Sequence, residues 1–124
     1  MVCTRGTADV WNPKVVRGAT GSLFALPPVA LRDDGAGNVA RLLGEQGVAI
    51  VRADAHGERE LSEFAWPRRA AVVLGHERRG VSEEFVGASV TIPLPGQAES
   101  LNVAMAGTIF LWEWARSAVR KSSG

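Results

Sequence analysis

The chain has 124 residues, of which 46% are hydrophobic and 22% charged, which suits a folded domain and not a disordered tail. Fourteen Lys and Arg against thirteen Asp and Glu leave a net charge of +1, which excludes a polybasic protein that binds nucleic acid mainly by neutralising phosphates. The single cysteine, Cys3, excludes a disulfide scaffold and a cysteine-rich metal site, and two histidines, His56 and His76, are too few for an all-histidine site.

In chain order, residues 1–4 read as the end of a strand. Asn12 and Pro13 then mark a helix start, cap followed by first-turn proline, for a helix running to about Ala19. Ser22 to Leu26 is a short apolar strand closed by Pro27 and Pro28. After the turn cluster at 33–37, Val39 to Gln46 reads as a helix with Val39, Leu42 and Leu43 on one face. Gly47 opens the strand VAIVRA, and His56-Gly57 is a turn before a weak helical or loop stretch through Trp66-Pro67. Residues 70–74, AAVVL, form a continuous apolar run of the kind buried on both faces of a parallel sheet. Residues 82–87 are a short helix candidate with Ser82 as cap and Glu83 and Glu84 in the first turn. SVTIPL is a last strand and PGQAES a loop.

From Leu101 to about Val119 the period is helical. Leu101, Ala104, Met105, Thr108, Leu111, Trp112, Ala115 and Val119 form one stripe, with Val103, Ala106, Phe110 and Trp114 beside it. A helix apolar on more than one face is covered twice, once by the sheet and once by something else, for which a second copy of the chain is the natural candidate. Alternating strands and helices predict an α/β fold with a largely parallel sheet flanked by helices. No apolar run reaches the ~18–20 residues of a membrane span, and the N-terminus lacks a basic-then-apolar leader. The expectation is one cytoplasmic domain over residues 1–124 with no membrane or metal partner.

Two segments carry chemistry. In VVLGHERRGVS, Gly75 and Gly80 have phosphate-loop spacing, but Val81-Ser82 stands where that motif needs its lysine. What remains is Glu77 beside Arg78 and Arg79 at a strand's carboxyl end, where open α/β sheets bind ligands. In IPLPGQAESLNVAMA, Ser100 or Asn102 can cap the last helix, and Ser-Leu-Asn feeding directly into an apolar helix places polar groups at its start. Ser100 has no nucleophile-elbow context, so hydrolase chemistry is not indicated. A third segment, NPKVVRGATGSLF, puts Lys14 and Arg17 on one helical face, a spacing equally met on a solvated surface.

Taken together these segments resemble the knotted SPOUT superfamily, specifically the SpoU/TrmH-like RNA 2′-O-ribose methyltransferases. VVLGHERRGVSEE is similar to that family's second motif, TIPLPGQAESLNVAMAGTIFLWEWAR to its third, and NPKVVRGATGSLFALP to the stretch upstream. The resemblance implies a parallel sheet whose C-terminal segment makes a deep trefoil knot, a topology that chain patterning alone would not propose. It implies S-adenosylmethionine as cofactor, with Ala53, Leu74, Gly75, Ile92, Leu94 and Leu101 on cofactor-contacting positions. Glu77, Ser100 and Asn102 fall on the polar active-site positions. It implies an RNA substrate, ribosomal or transfer RNA, no metal, and a homodimer through the C-terminal helix. The family's first motif, Asn-x-Gly-x-x-x-Arg, which supplies its catalytic arginine, has no counterpart in this sequence, and neither Arg5 nor Arg17 sits in such a motif. The expectation is a piece of a longer protein that begins at the family's second strand, short of a strand–helix unit of roughly 30 residues. The alternative is a non-catalytic knotted module that binds cofactor or RNA or only dimerises.

Overall fold

The computed structural model describes residues 2–3, 29–30, 35–75, 79–95 and 102–123. The helix expected over 13–19 and the strand expected over 22–26 lie outside them. The chain divides into two compact units, Met1–Gly37 and Asn38–Gly124. In the first, β1 (Val2–Cys3) pairs in parallel with β2 (Val29–Ala30), and Cys3 is buried as a free thiol. Helix α1 spans Ala36–Glu45.

Helix α1 stops where its sequence dictates. Val48 N–H donates to the Leu43 carbonyl at 2.9 Å and Gly47 N–H to the Gly44 carbonyl at 3.2 Å, with Gly47 in the left-handed region at φ 68°. This is a Schellman closure, which glycine adopts without the steric cost a Cβ would bring. Of the three residues expected on one apolar face, Val39 and Leu43 are half-buried and Leu42 is exposed.

Among the described residues the second unit has four parallel strands: β3 (Ala49–Ala53), β4 (Arg59–Glu60), β5 (Ala70–Val73) and β6 (Ala88–Thr91). Their spatial order is β4-β6-β3-β5. The last strand in sequence thus enters the slot between β3 and β4. Val51 sits opposite Val72 on one side and Ala88 on the other, and Val90 lies between Ala53 and Arg59. The core follows from this register. Val51 and Val90, on the two central strands, are fully buried together with Phe110 of α2 (Val103–Ser123), and Leu61 and Trp66 complete the cluster. The stretch expected as weak helix or loop resolves into β4 and a single 3-10 turn, Leu61–Glu63, whose Leu61 anchors it to the core.

Two expectations need correction. Strand β5 is half-buried at all four positions instead of buried on both faces, because among the described residues it pairs only with β3. Residues 82–87 form one turn, Phe85 N–H to the Ser82 carbonyl at 3.2 Å, and no helix. The segment is held from β3 instead. Arg52 of β3 donates from Nη1 to the Phe85 carbonyl at 3.0 Å and from Nη2 to the Val81 carbonyl at 3.5 Å. Gly87 also lies against the Ile50 carbonyl and β6 begins at Ala88, so the chain is drawn out along β3 before a second helical turn can form.

Helix α2 begins at Asn102. Its Oδ1 accepts from Ala104 N–H at 2.8 Å and its carbonyl from Ala106 N–H at 2.9 Å, the geometry of an N-cap. Arg120 and Lys121 in the last turn suit the negative end of the helix dipole. On its flank the Glu113 carboxylate accepts from Arg116 at 2.8 and 3.2 Å, and that hydrogen bond holds the guanidinium above its ordinary pKa. Of the two sequence stripes, the core takes the one carrying Phe110 and Trp114, together with Ile109, which neither stripe included. Met105, Leu111 and Trp112 remain 55–65% exposed on the other. No described helix is long and apolar enough to cross a membrane.

Candidate active site at the strand ends

Parallel strands deliver their carboxyl ends to one edge of the sheet. β3 ends at Ala53, opposite Val90 of β6, and Arg52 lies opposite Val73, the last residue of β5. Ala53, Leu74, Gly75, Ile92 and Leu94 therefore gather at that edge, and Leu74, Gly75, Ile92 and Leu94 stand beyond the last ladder pair. Open parallel sheets bind ligands outside such ends. Ala53, Ile92 and Leu94 are half-buried and Leu74 is 40% exposed, so the edge offers apolar side chains beside backbone groups that the ladder does not claim.

Leu74 ties this edge to α2. A Cβ on Gly107 would lie 2.8 Å from Leu74 Cδ1, so the helix carries a glycine where the leucine presses on it. Asn102 is five residues nearer the helix start, on the same side as the strand ends. Its side-chain oxygen is committed to the cap, which leaves the carboxamide N–H₂ as its outward function, a donor only. Asn102 is exposed, so that donor is accessible. Glu77, Ser100 and Leu101 lie outside the described residues.

The two described limbs of the loop after β5 meet. A Cβ on Gly75 would run into the backbone of Gly80 and Val81, and Gly80 has φ 71°. The two glycines read in sequence as phosphate-loop spacing thus serve a close backbone approach and a left-handed residue. The far limb of the loop is fastened by the Arg52 guanidinium, and Gly87 passes so close to the Ile50 carbonyl that no side chain fits there. The turn after β3 is fastened as well. Asp54 N–H donates to the Val90 carbonyl at 2.9 Å, while its carboxylate accepts from His56 N–H at 2.9 Å and Ser89 Oγ at 3.3 Å. Sequence reasoning passed over Arg52 and Asp54. The signal was present in Arg52, a lone charge in an otherwise apolar strand. Among the described residues no group of three His, Cys, Asp or Glu side chains could hold a metal ion.

A parallel α/β sheet with glycine-built loops at its carboxyl edge and a capped helix beside them is an arrangement suited to binding a ligand, and comparison with known proteins makes the class specific. The model of the SpoU rRNA methylase family matches residues 1–112, and the chain belongs to that family. The 23S rRNA (uridine(2479)-2′-O)-methyltransferase of Streptomyces viridochromogenes is 36% identical over 120 residues, 90% of this chain and 41% of that protein. The 23S rRNA (guanosine(2553)-2′-O)-methyltransferase RlmP of Bacillus subtilis is 36% identical over 110 residues, 86% of this chain and 43% of that protein. Among solved structures, the SpoU methyltransferase AviRb of S. viridochromogenes, in complex with the cofactor AdoMet, superposes with a TM-score of 0.84 at 32% identity. The superposition covers 95% of this chain and 47% of that one. This chain thus spans less than half the length of these curated relatives.

Proposed function

We propose that this chain is the methyl-transferring part of an S-adenosylmethionine-dependent RNA 2′-O-methyltransferase that acts on ribosomal or transfer RNA in the cytoplasm. The observation that carries this reading is the convergence of Ala53, Leu74, Gly75, Ile92, Leu94 and the Asn102 cap at one sheet edge, in a chain of the SpoU family. The edge fits the cofactor. Leu74, Ile92 and Leu94 supply apolar surface for an adenine ring, and the backbone beyond the ladder supplies donors and acceptors for its edge. Bound there, the cofactor supplies a methyl group on a sulfonium.

The protein's own contribution is placement. A ribose 2′-hydroxyl is a weak acid that attacks well only when held in line and relieved of its proton. Asn102 can orient it by donating from Nδ2, and cannot take the proton, since a carboxamide is not a base. Ser100 and Glu77 are assigned the remaining polar roles, Glu77 as the carboxylate that steadies a catalytic arginine. Recognition of the 2′-hydroxyl selects RNA over DNA.

Two architectural features belong to the same reading. The trefoil knot is supported by the strand order, in which β6 enters between strands laid down before it. The homodimer is supported by Met105, Leu111 and Trp112, whose exposed apolar surface forms one stripe of α2. The test is calorimetric titration with S-adenosylmethionine, followed by a methyl-transfer assay on 23S rRNA and bulk tRNA. Stoichiometric binding with methyl incorporation at a 2′-oxygen is the expected result. A folded chain that binds no cofactor overturns the reading; binding without transfer, even from a chain extended upstream, leaves the non-catalytic module.

A further inference from the structure

At the opposite end of α2 from Asn102 a groove of about 350 Å³ opens between two elements. Trp66, Pro67 and Arg68, in the segment that runs into β5, form one wall, and Trp114, Ser117 and Lys121 of α2 form the other. Trp114 is twelve residues past Asn102, about 18 Å along the axis at a helical rise of 1.5 Å per residue. The groove is therefore separate from the strand-end site.

Its lining has a specific chemistry. The indoles of Trp66 and Trp114 stack with centroids 5.8 Å apart and planes 17° from parallel. Trp66 is 4% exposed and braced edge-on by Phe64 and Phe110, so it backs Trp114, which is only half-buried and presents aromatic surface to the groove. The Trp66 indole N–H is buried and has no hydrogen-bond partner among the described residues. Each wall brings one cation, Arg68 and Lys121, and no carboxylate lines the groove. Lys121 Nζ donates to the Trp66 carbonyl at 2.8 Å, which holds the ammonium at the rim with two further N–H donors.

We propose that this groove is a second RNA contact, which stacks an unpaired base on Trp114 and binds the flanking phosphates with Arg68 and Lys121. Base stacking on an aromatic platform flanked by cations is how single strands are held without sequence preference. A net charge of +1 makes such a local pair of cations more telling than it would be on a basic protein. The proposal rests on the reading of the chain as part of an RNA methyltransferase, and it gives that enzyme a grip on its substrate remote from the methylated ribose.

The test is fluorescence anisotropy of a labelled oligouridylate with the full chain, its Arg68→Ala/Lys121→Ala double variant and Trp114→Leu, alongside S-adenosylmethionine titration of each. The double variant should bind RNA about tenfold more weakly, and its slope of log K against log salt should fall by about 0.7 for each lost phosphate contact. Trp114→Leu should lose about fivefold or more from stacking with an unchanged salt slope. Cofactor affinity should not move in any variant. Undiminished RNA binding and salt slope in the double variant would overturn the groove, as would a wild-type chain that binds cofactor but no RNA. Competition by polyglutamate equal to that by RNA would make it a cleft for acidic protein and overturn the RNA assignment. RNA binding through the groove without cofactor binding would uphold the groove and sink the methyltransferase reading, and binding of neither would remove both.

Discussion

The two ends of helix α2 are built by different means. At its start the site is made by the backbone: the Asn102 cap, Gly107 against Leu74, and a loop in which Gly75 meets Gly80 and Val81. Glycine stands at Gly75 because backbone lies against it, and at Gly107 because the Leu74 side chain does. At its other end the surface is made by bulk: Trp66, Trp114 and Phe110 pack ring on ring, and cations sit at the rim. A backbone-built site tolerates no added atom, whereas a side-chain-built one is sensitive to lost volume. Substitutions should therefore have opposite profiles at the two ends.

The largest effect is expected from removing bulk. Phe110 is 1% exposed and touches the core shared by β3, β6 and Trp66, so Phe110→Ala should cost about 3–5 kcal/mol in urea unfolding. That is a large fraction of the stability of a small domain. A loss under about 1 kcal/mol would show that α2 is not the lid of this core. Next comes added volume at the other end. Gly75→Ala places a methyl group on the Gly80–Val81 backbone and should weaken S-adenosylmethionine binding by at least about tenfold, or 1.4 kcal/mol, while the tryptophan end stays packed. Unchanged affinity would detach this loop from the cofactor.

The Asn102 substitutions sharpen the comparison by separating cap from chemistry. Asn102→Ala should cost about 1 kcal/mol of stability from the lost cap and also cut turnover. Asn102→Asp keeps a capping oxygen but has no amide donor, so stability should return while turnover does not. Recovery of both would reduce Asn102 to a structural cap. The smallest effect on folding is expected on the exposed stripe. Leu111→Glu should change the stability of one chain by no more than about 0.5 kcal/mol, yet shift sedimentation from dimer to monomer. A wild-type chain that sediments as a monomer would remove the dimer.

Much of this was open to reading from local pattern. The strands VAIVRA and AAVVL match β3 and β5 within a residue, SVTIPL runs past the end of β6 at Thr91, and the helix expected from Leu101 to about Val119 starts at Val103 and continues to Ser123. Such features depend on neighbours a few positions apart. The short helix expected over 82–87 failed because the segment is held along β3, by Arg52 and by Gly87 against Ile50, about thirty residues away in sequence. No local propensity reports a competitor at that distance.

What the sequence determined by itself was the strands β3, β5 and β6, the helices α1 and α2, and the family resemblance, since hydrophobic period, turn residues and motif order are written along the chain. Three matters were left to the tertiary structure. The order β4-β6-β3-β5 puts the last strand in the middle, and strand neighbours are chosen by pairing across the whole unit. The choice between two apolar stripes of α2 went to the one whose Phe110 and Trp114 interlock with Val51, Val90 and Trp66. Both stripes are apolar, so hydrophobicity could not decide between them, whereas close packing admits the one whose shape fits. The groove between Trp66 and Trp114 follows from the same event, because two tryptophans forty-eight positions apart meet only when α2 lies down on the sheet.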